Sequence, residues 1–103
     1  MILLRDYQGV SVRLTVERRA HILGHPEMAG LEAALGETLL TPERVIESLS
    51  DPSAALHYRF FVGTQVGDKW LCVVVKYTAL DAFVLTAYLT DKIKKGTQLW
   101  PNP

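Results

Sequence analysis

Apolar and polar positions alternate with a period of two over 10–15, where Val10, Val12 and Leu14 interleave with Ser11, Arg13 and Thr15. That is the pattern of a half-buried strand. With 2–7 before it and Gln8-Gly9 between, it predicts an N-terminal β-hairpin. The period then lengthens. Thr15 suits a helix N-cap, Glu17 sits in the favourable first turn and Gly24 is a natural stop, so a helix is expected from Val16 to about Leu23. Pro26 opens a second helix, in which Met28, Leu31, Leu35 and Leu39 recur at three- and four-residue steps. Thr41-Pro42-Glu43 has the form of a third helix start, with Val45, Ile46 and Leu49 as its buried side and Ser50-Asp51-Pro52-Ser53 as its end.

From residue 55 the pattern is that of strands. Stretches 55–62, 70–78 and 83–90 are rich in β-branched and aromatic residues, and glycines or Asp68 and Asp81 separate them. Such short connections predict an antiparallel meander. Residues 91–103 carry Lys92, Lys94, Lys95 and Gly96, then Leu99-Trp100, either a last short strand or a tail docked through Trp100. The expected fold is α+β. Two to three helices pack on one face of a four-stranded antiparallel sheet (three to five strands), behind an N-terminal hairpin. One domain would span 1–103, with strands in 1–15, helices in 16–50, the sheet in 55–90 and a tail in 91–103.

Composition narrows the class. A chain of 103 residues with 49% hydrophobic and 21% charged residues builds one core and is not a disordered composition. Its longest apolar runs are too short to span a bilayer, and Arg5 and Asp6 cut off the run after Met1, so neither a membrane span nor a signal peptide is expected. Cys72 is the single cysteine. It reads as a small buried hydrophobe and fits a reducing, cytoplasmic setting. The formal net charge is zero but unevenly spread. Arg5, Arg13, Arg18 and Arg19 against Asp6 and Glu17 leave residues 1–26 at +2. Arg44 against Glu27, Glu32, Glu37, Glu43, Glu47 and Asp51 leaves 27–51 at −5. Residues 52–103 stand at +3, with Arg59, Lys69, Lys76, Lys92, Lys94 and Lys95 against Asp68, Asp81 and Asp91. Indiscriminate coating of nucleic acid is disfavoured by neutrality, while a local phosphate-binding face remains open.

Strand alternation sorts the candidate chemistry. One row, Leu56, Tyr58, Phe60, Val62, Leu71, Val73, Val75, Tyr77, Phe83, Leu85, Ala87 and Leu89, is the expected core face. The other row holds His57, Arg59, Phe61, Trp70, Cys72, Val74, Lys76, Val84, Thr86, Tyr88 and Thr90. Arg59, Lys76, Thr86 and Tyr88 would then share a surface, where two cations hold a phosphate and hydroxyls orient it. A wetted face of an antiparallel sheet accounts for the same alternation. His57 reads as strand surface. His21 and His25 are four apart, the spacing of a helical zinc pair, but Gly24 and Pro26 interrupt the helix and no further ligand completes a shell. His21 is a candidate general acid or base because imidazole titrates near neutrality. No phosphate-binding glycine loop, dinucleotide fingerprint or G-x-S-x-G motif occurs.

The segments LTVERRAHILGHPEM, PERVIESLSDP, LHYRFF, WLCVVVKY and FVLTAYLTDKIKKG occur in an order that resembles a known family. These are the phage and toxin-type members of the barnase–EndoU–colicin–RelE-like superfamily of metal-independent ribonucleases. The resemblance runs from about Leu14 to Trp100. It implies a small endoribonuclease without cofactor or metal, cleaving RNA by 2′-OH attack on the adjacent phosphate. His21 would transfer a proton, Arg59 and Lys76 would stabilise charge, and Thr86 and Tyr88 would position the scissile group, with Glu17, Arg18 and His25 as secondary candidates. The implied partners are an RNA substrate and a cognate antitoxin or immunity protein. The alternative is a non-catalytic module binding RNA or protein, or a second copy of itself, through the same face.

Overall fold

The computed structural model describes residues 1–102. Strand β1 (Ile2–Arg5) pairs antiparallel with β2 (Ser11–Leu14), Ile2 opposite Leu14. Asp6 closes their turn: its Oδ1 accepts from the backbone N–H groups of Gln8 and Val10, and Gly9 takes the left-handed conformation at φ +85°. Thr15 caps α1 (Val16–Leu23) by accepting from the Arg18 N–H. The expected second helix is split. Pro26–Met28 is one turn of 3-10 helix, Gly30 turns the chain at φ +79°, and α2 runs only over Glu32–Leu40.

The expected third helix is a strand. Segment β3 (Arg44–Glu47) pairs antiparallel with β4 (Ala54–Thr64) on one side and β7 (Gln98–Trp100) on the other. The β-branched pair Val45 and Ile46 is buried on two opposite faces, as in a strand, and Leu49, assigned to a helical core face, is 79% exposed. Strand β4 continues through a hairpin into β5 (Gly67–Tyr77), and β5 into β6 (Ala82–Thr90). The result is a seven-stranded mixed sheet in the order β1-β2-β6-β5-β4-β3-β7 with two α-helices, not a four-stranded antiparallel sheet with two to three helices. The α+β class holds; the sheet is larger because the hairpin, the supposed helix and the tail all join it.

The mixed character comes from one contact. Strand β2 runs parallel to β6, registered at Arg13 and Phe83. A two-pronged pair fastens it there, Arg13 Nε and Nη2 donating to the two carboxylate oxygens of Asp81 at 3.0 and 2.5 Å.

Registered residues share a face, and this separates the two sides of the sheet. Under α1 and α2 lie Val12, Leu14, Leu71, Val73, Val75, Ala82, Val84 and Ala87, joined by Ile22, Met28, Leu35 and Leu39 from the helical segments. Each of the Val, Leu, Ile and Met side chains contributes about 1.5–3 kcal/mol by leaving water. The opposite side holds a smaller strip of Ile46, Leu56, Tyr58 and Cys72, flanked by Trp70, Val74, Tyr88 and Ile93.

The row assigned from alternation in β4, and the start of the one in β6, change face. In β4, His57, Arg59 and Phe61 are in register with Val73, Leu71 and Lys69 and lie on the helix side, so Leu56, Tyr58 and Phe60 take the helix-free side. Both rows of β4 are apolar enough to be buried, so its phase is set by pairing. In β6 a bulge shifts the register between Val74 and Val75, so Val84 joins the helix side while Thr86 and Tyr88 stay opposite Val74 and Cys72. His57, read as strand surface, is fully buried.

Candidate functional site on the helix-free face

A cleft of about 650 Å³ opens on the side of the sheet that carries no helix. Its floor is Leu56, Val74, Thr86 and Tyr88, one wall is the 47–51 connection after β3, and the other carries Lys94 and Lys95. The second wall exists because residues 93–97 are laid across the strands. The Lys94 N–H donates to the Tyr58 hydroxyl at 3.1 Å, and the Glu47 N–H to the Thr97 carbonyl at 2.8 Å. Gly96 passes so close to β3 that a β-carbon there would lie 2.5 Å from the Glu47 carbonyl oxygen. Glycine is required by that approach.

The floor is chemically quiet. Burial pushes the Tyr58 hydroxyl up to about 12 and the Cys72 thiol up to about 11, and burial beside Cys72 and Tyr58 also raises Tyr88. All three are neutral at pH 7, so Tyr88 offers a hydroxyl and no phenolate. That hydroxyl is buried without a hydrogen-bond partner of normal geometry. The Lys94 ammonium stands 5.7 Å from the Tyr88 ring centroid, a cation–π contact.

Lys76 lies on this face too, but its ammonium donates to Asp51 at 2.5 Å. That bond, with further ones from Ser53, lowers Asp51 to about 2. Asp51 is therefore ionised and engaged, a poor base.

The remaining candidates lie elsewhere. Arg59 is on the helix side, where Nη1 donates to the Thr41 carbonyl at 2.8 Å and Nε stands 3.4 Å from Glu37 on α2. The two cations expected on one surface are thus on opposite faces, each tied to a carboxylate. His21 is exposed on α1, which packs on β6 from the helix side, and its ring meets that of His25 edge-on at 5.4 Å. Glu17 and Arg18 are exposed on the same helix. Among the described residues no three His, Cys, Asp or Glu side chains group as a metal site.

Strand β6 is the element these groups share. It carries Thr86 and Tyr88 on the helix-free side, α1 and the 26–28 turn pack on its other side, and its registered partner in β2 is at Phe83.

Sequence reasoning overlooked the 47–51 wall and gave Lys94 and Lys95 no role. The Lys92–Lys95 run was the available signal for the latter. No family model, curated protein or solved structure matches the chain. No helix is long and apolar enough to cross a membrane.

Proposed function

We propose that the domain is a small metal-independent endoribonuclease that takes single-stranded RNA along strand β6. The observation that carries this reading is the composition of that strand's surroundings: the neutral hydroxyl of Thr86 on the cleft floor, ammonium groups of Lys94 and Lys95 at the cleft rim, and two adjacent imidazoles on the helical segment packed against the same strand. Lys94 and Lys95 bind and neutralise phosphate oxygens. Thr86 donates a hydrogen bond to a phosphate held on the cleft side of the strand. An imidazole of the His21–His25 pair takes the 2′-OH proton as that oxygen attacks phosphorus, and the leaving 5′-oxygen is protonated in turn, giving a 2′,3′-cyclic phosphate. Arg59 and Lys76 act by holding the scaffold.

The test is incubation of the purified chain with single-stranded RNA in the presence of a chelator, with analysis of the ends. Cleavage to cyclic-phosphate ends that falls about 10²-fold or more in His21→Ala or His25→Ala supports the reading. Intact RNA at high protein concentration overturns it. A second reading, a module that binds RNA without cutting it, is favoured by the engagement of both Arg59 and Lys76 with carboxylates. Under that reading RNA binds, stays intact, and is released by Lys94→Gln and Lys95→Gln but not by the histidine variants.

A further inference from the structure

On the helix side of the sheet, three titratable side chains form a hydrogen-bonded chain, Asp6 and His57 buried and Tyr77 half-buried between them, that the proposed chemistry does not use. Asp6 and His57 are 1% and 0% exposed. The Tyr77 hydroxyl lies between them, 2.7 Å from Asp6 Oδ2 and 3.1 Å from His57 Nε2. The other ring nitrogen, Nδ1, is 3.1 Å from the Val73 carbonyl.

Counting protons shows that one is missing. A carbonyl only accepts, so His57 Nδ1 carries a hydrogen. The Asp6 carboxylate also only accepts, taking the Gln8 and Val10 N–H groups on Oδ1 and the Tyr77 hydroxyl on Oδ2. Tyr77 has one hydrogen, and at the shorter contact it goes to Asp6. Neutral His57 then turns the lone pair of Nε2 towards a hydroxyl oxygen that has no hydrogen left. A second ring proton would complete the chain, but it would place a cation in a fully buried site. Burial does lower the affinity of His57 for that proton, against opposing pulls from the Val73 carbonyl, the Asp6 charge and the Ala55 backbone.

The chain sits under the β1–β2 turn. Asp6 and Tyr7 belong to the β1–β2 turn, and the Tyr7 ring lies 5.9 Å from the His57 ring and 5.6 Å from Trp100 on β7. The turn thus spans from one edge strand of the sheet to the other. A cavity of about 180 Å³, bounded by Tyr7, Gln8, Ser53, His57, Tyr77 and Leu99, lies beside it.

We propose that Asp6, Tyr77 and His57 form an acid-release latch, which holds the β1–β2 turn against β4 and β7 at neutral pH and frees it when His57 takes a proton. The groups facing His57 are Asp6 and Tyr7 from the turn and Tyr77 from β5. Its neighbour across β3 is Val45, and Trp100 comes from β7. Lys76 points to the other face, and Glu37 of α2 is engaged with Arg59. The sign follows by linkage. A histidine whose closed-state affinity for protons is depressed favours the closed state above its ordinary value of 6.5, and the preference is lost as pH falls below it. In the open state the Nε2 proton comes from water and is hydrated.

Hydrogen exchange of individual amides tests this, followed from about pH 7.5 to about pH 5 and corrected for the intrinsic rate. The Gln8 and Val10 amides, which donate to Asp6, should lose about tenfold or more of their protection across that range, while the Cys72 amide in β5 keeps its own. His57→Gln should abolish the pH dependence, and Tyr77→Phe should leave the turn weakly protected already at neutral pH. Should His57→Gln fail to fold, Tyr77→Phe and the NMR titration of the His57 ring in the native chain, expected below 6.5, decide the matter. Constant protection at Gln8 and Val10 would overturn the latch. So would an equal fall in His57→Gln, or a parallel loss at Cys72 that marks global unfolding.

Discussion

The two faces of the sheet are made from the same strands and differ in what covers them. On one, α1 and α2 seal Leu71, Val73, Val75, Val84 and Ala87 into a continuous core, and the polar His57 trapped there must find its partners inside. On the other a narrower apolar strip leaves room for a 650 Å³ cleft with the Thr86 hydroxyl on its floor and ammonium groups at its rim. Arg59 and Lys76 make the lesson concrete. Both are strand cations among apolar neighbours, yet one fastens α2 to β4 and the other fastens the 47–51 connection to β5. A charged residue on a strand marks a need for a partner; whether that partner is a ligand or the protein itself is decided by the face on which it emerges.

The largest effect that separates the faces is on stability. Leu71→Ala on the sealed face should cost about 2–5 kcal/mol in denaturant unfolding, whereas Val74→Ala on the half-buried cleft floor should cost about 1 kcal/mol. Equal losses would mean that the cleft is closed in solution and that the distinction between the faces is false.

Next is the pH response of the cleft wall. Asp51 is depressed to about 2 from 3.8 by Lys76 and Ser53, so its contribution to stability is present above 3.8 and is lost as pH falls through about 2. Urea midpoints of the native chain and of Asp51→Asn should therefore converge as the pH is lowered over that interval. Curves that stay parallel would remove the ion pair from the description of the wall.

The smallest expected change in stability accompanies a clear change in binding. Lys94→Gln and Lys95→Gln, at exposed positions, should leave unfolding within about 0.5 kcal/mol of the native chain. Each should reduce the salt dependence of single-stranded RNA binding by roughly 0.7 in log–log slope, the signature of one lost phosphate contact. An unchanged slope would direct attention away from this rim.

Local signals in the chain carried much of this fold. Thr15 and Gly24 bound α1, the 10–15 alternation marks β2, and the three long strands follow from β-branched runs between turn residues. Two kinds of information were not local. Pro42-Glu43 followed by Val45-Ile46 suits a helix start in isolation, and becomes a strand because β4 and β7 offer hydrogen bonds on both sides. The phase of β4 was equally ambiguous, since Leu56, Tyr58 and Phe60 are as apolar as Ala55 and Phe61; register with β5 decided it and carried Arg59 to the helix side. Thr86 and Tyr88 were legible as a pair because they are two apart on one strand and follow the bulge. The walls of the cleft were not, because they come from loops 47–51 and 93–97 that meet only through strand pairing and the close pass of Gly96.

On the proposed function, single-stranded RNA lies along β6 and touches both the cleft side and the helix side of that strand. The most direct measurement is NMR titration of the labelled chain with an oligonucleotide made uncleavable by 2′-deoxy substitution. The predicted result is one saturable set of shifts that includes Thr86, Tyr88, Lys94 and Lys95 on the cleft together with the His21 and His25 rings. Shifts confined to the helix side, or none on β6 at concentrations that saturate other resonances, would contradict it.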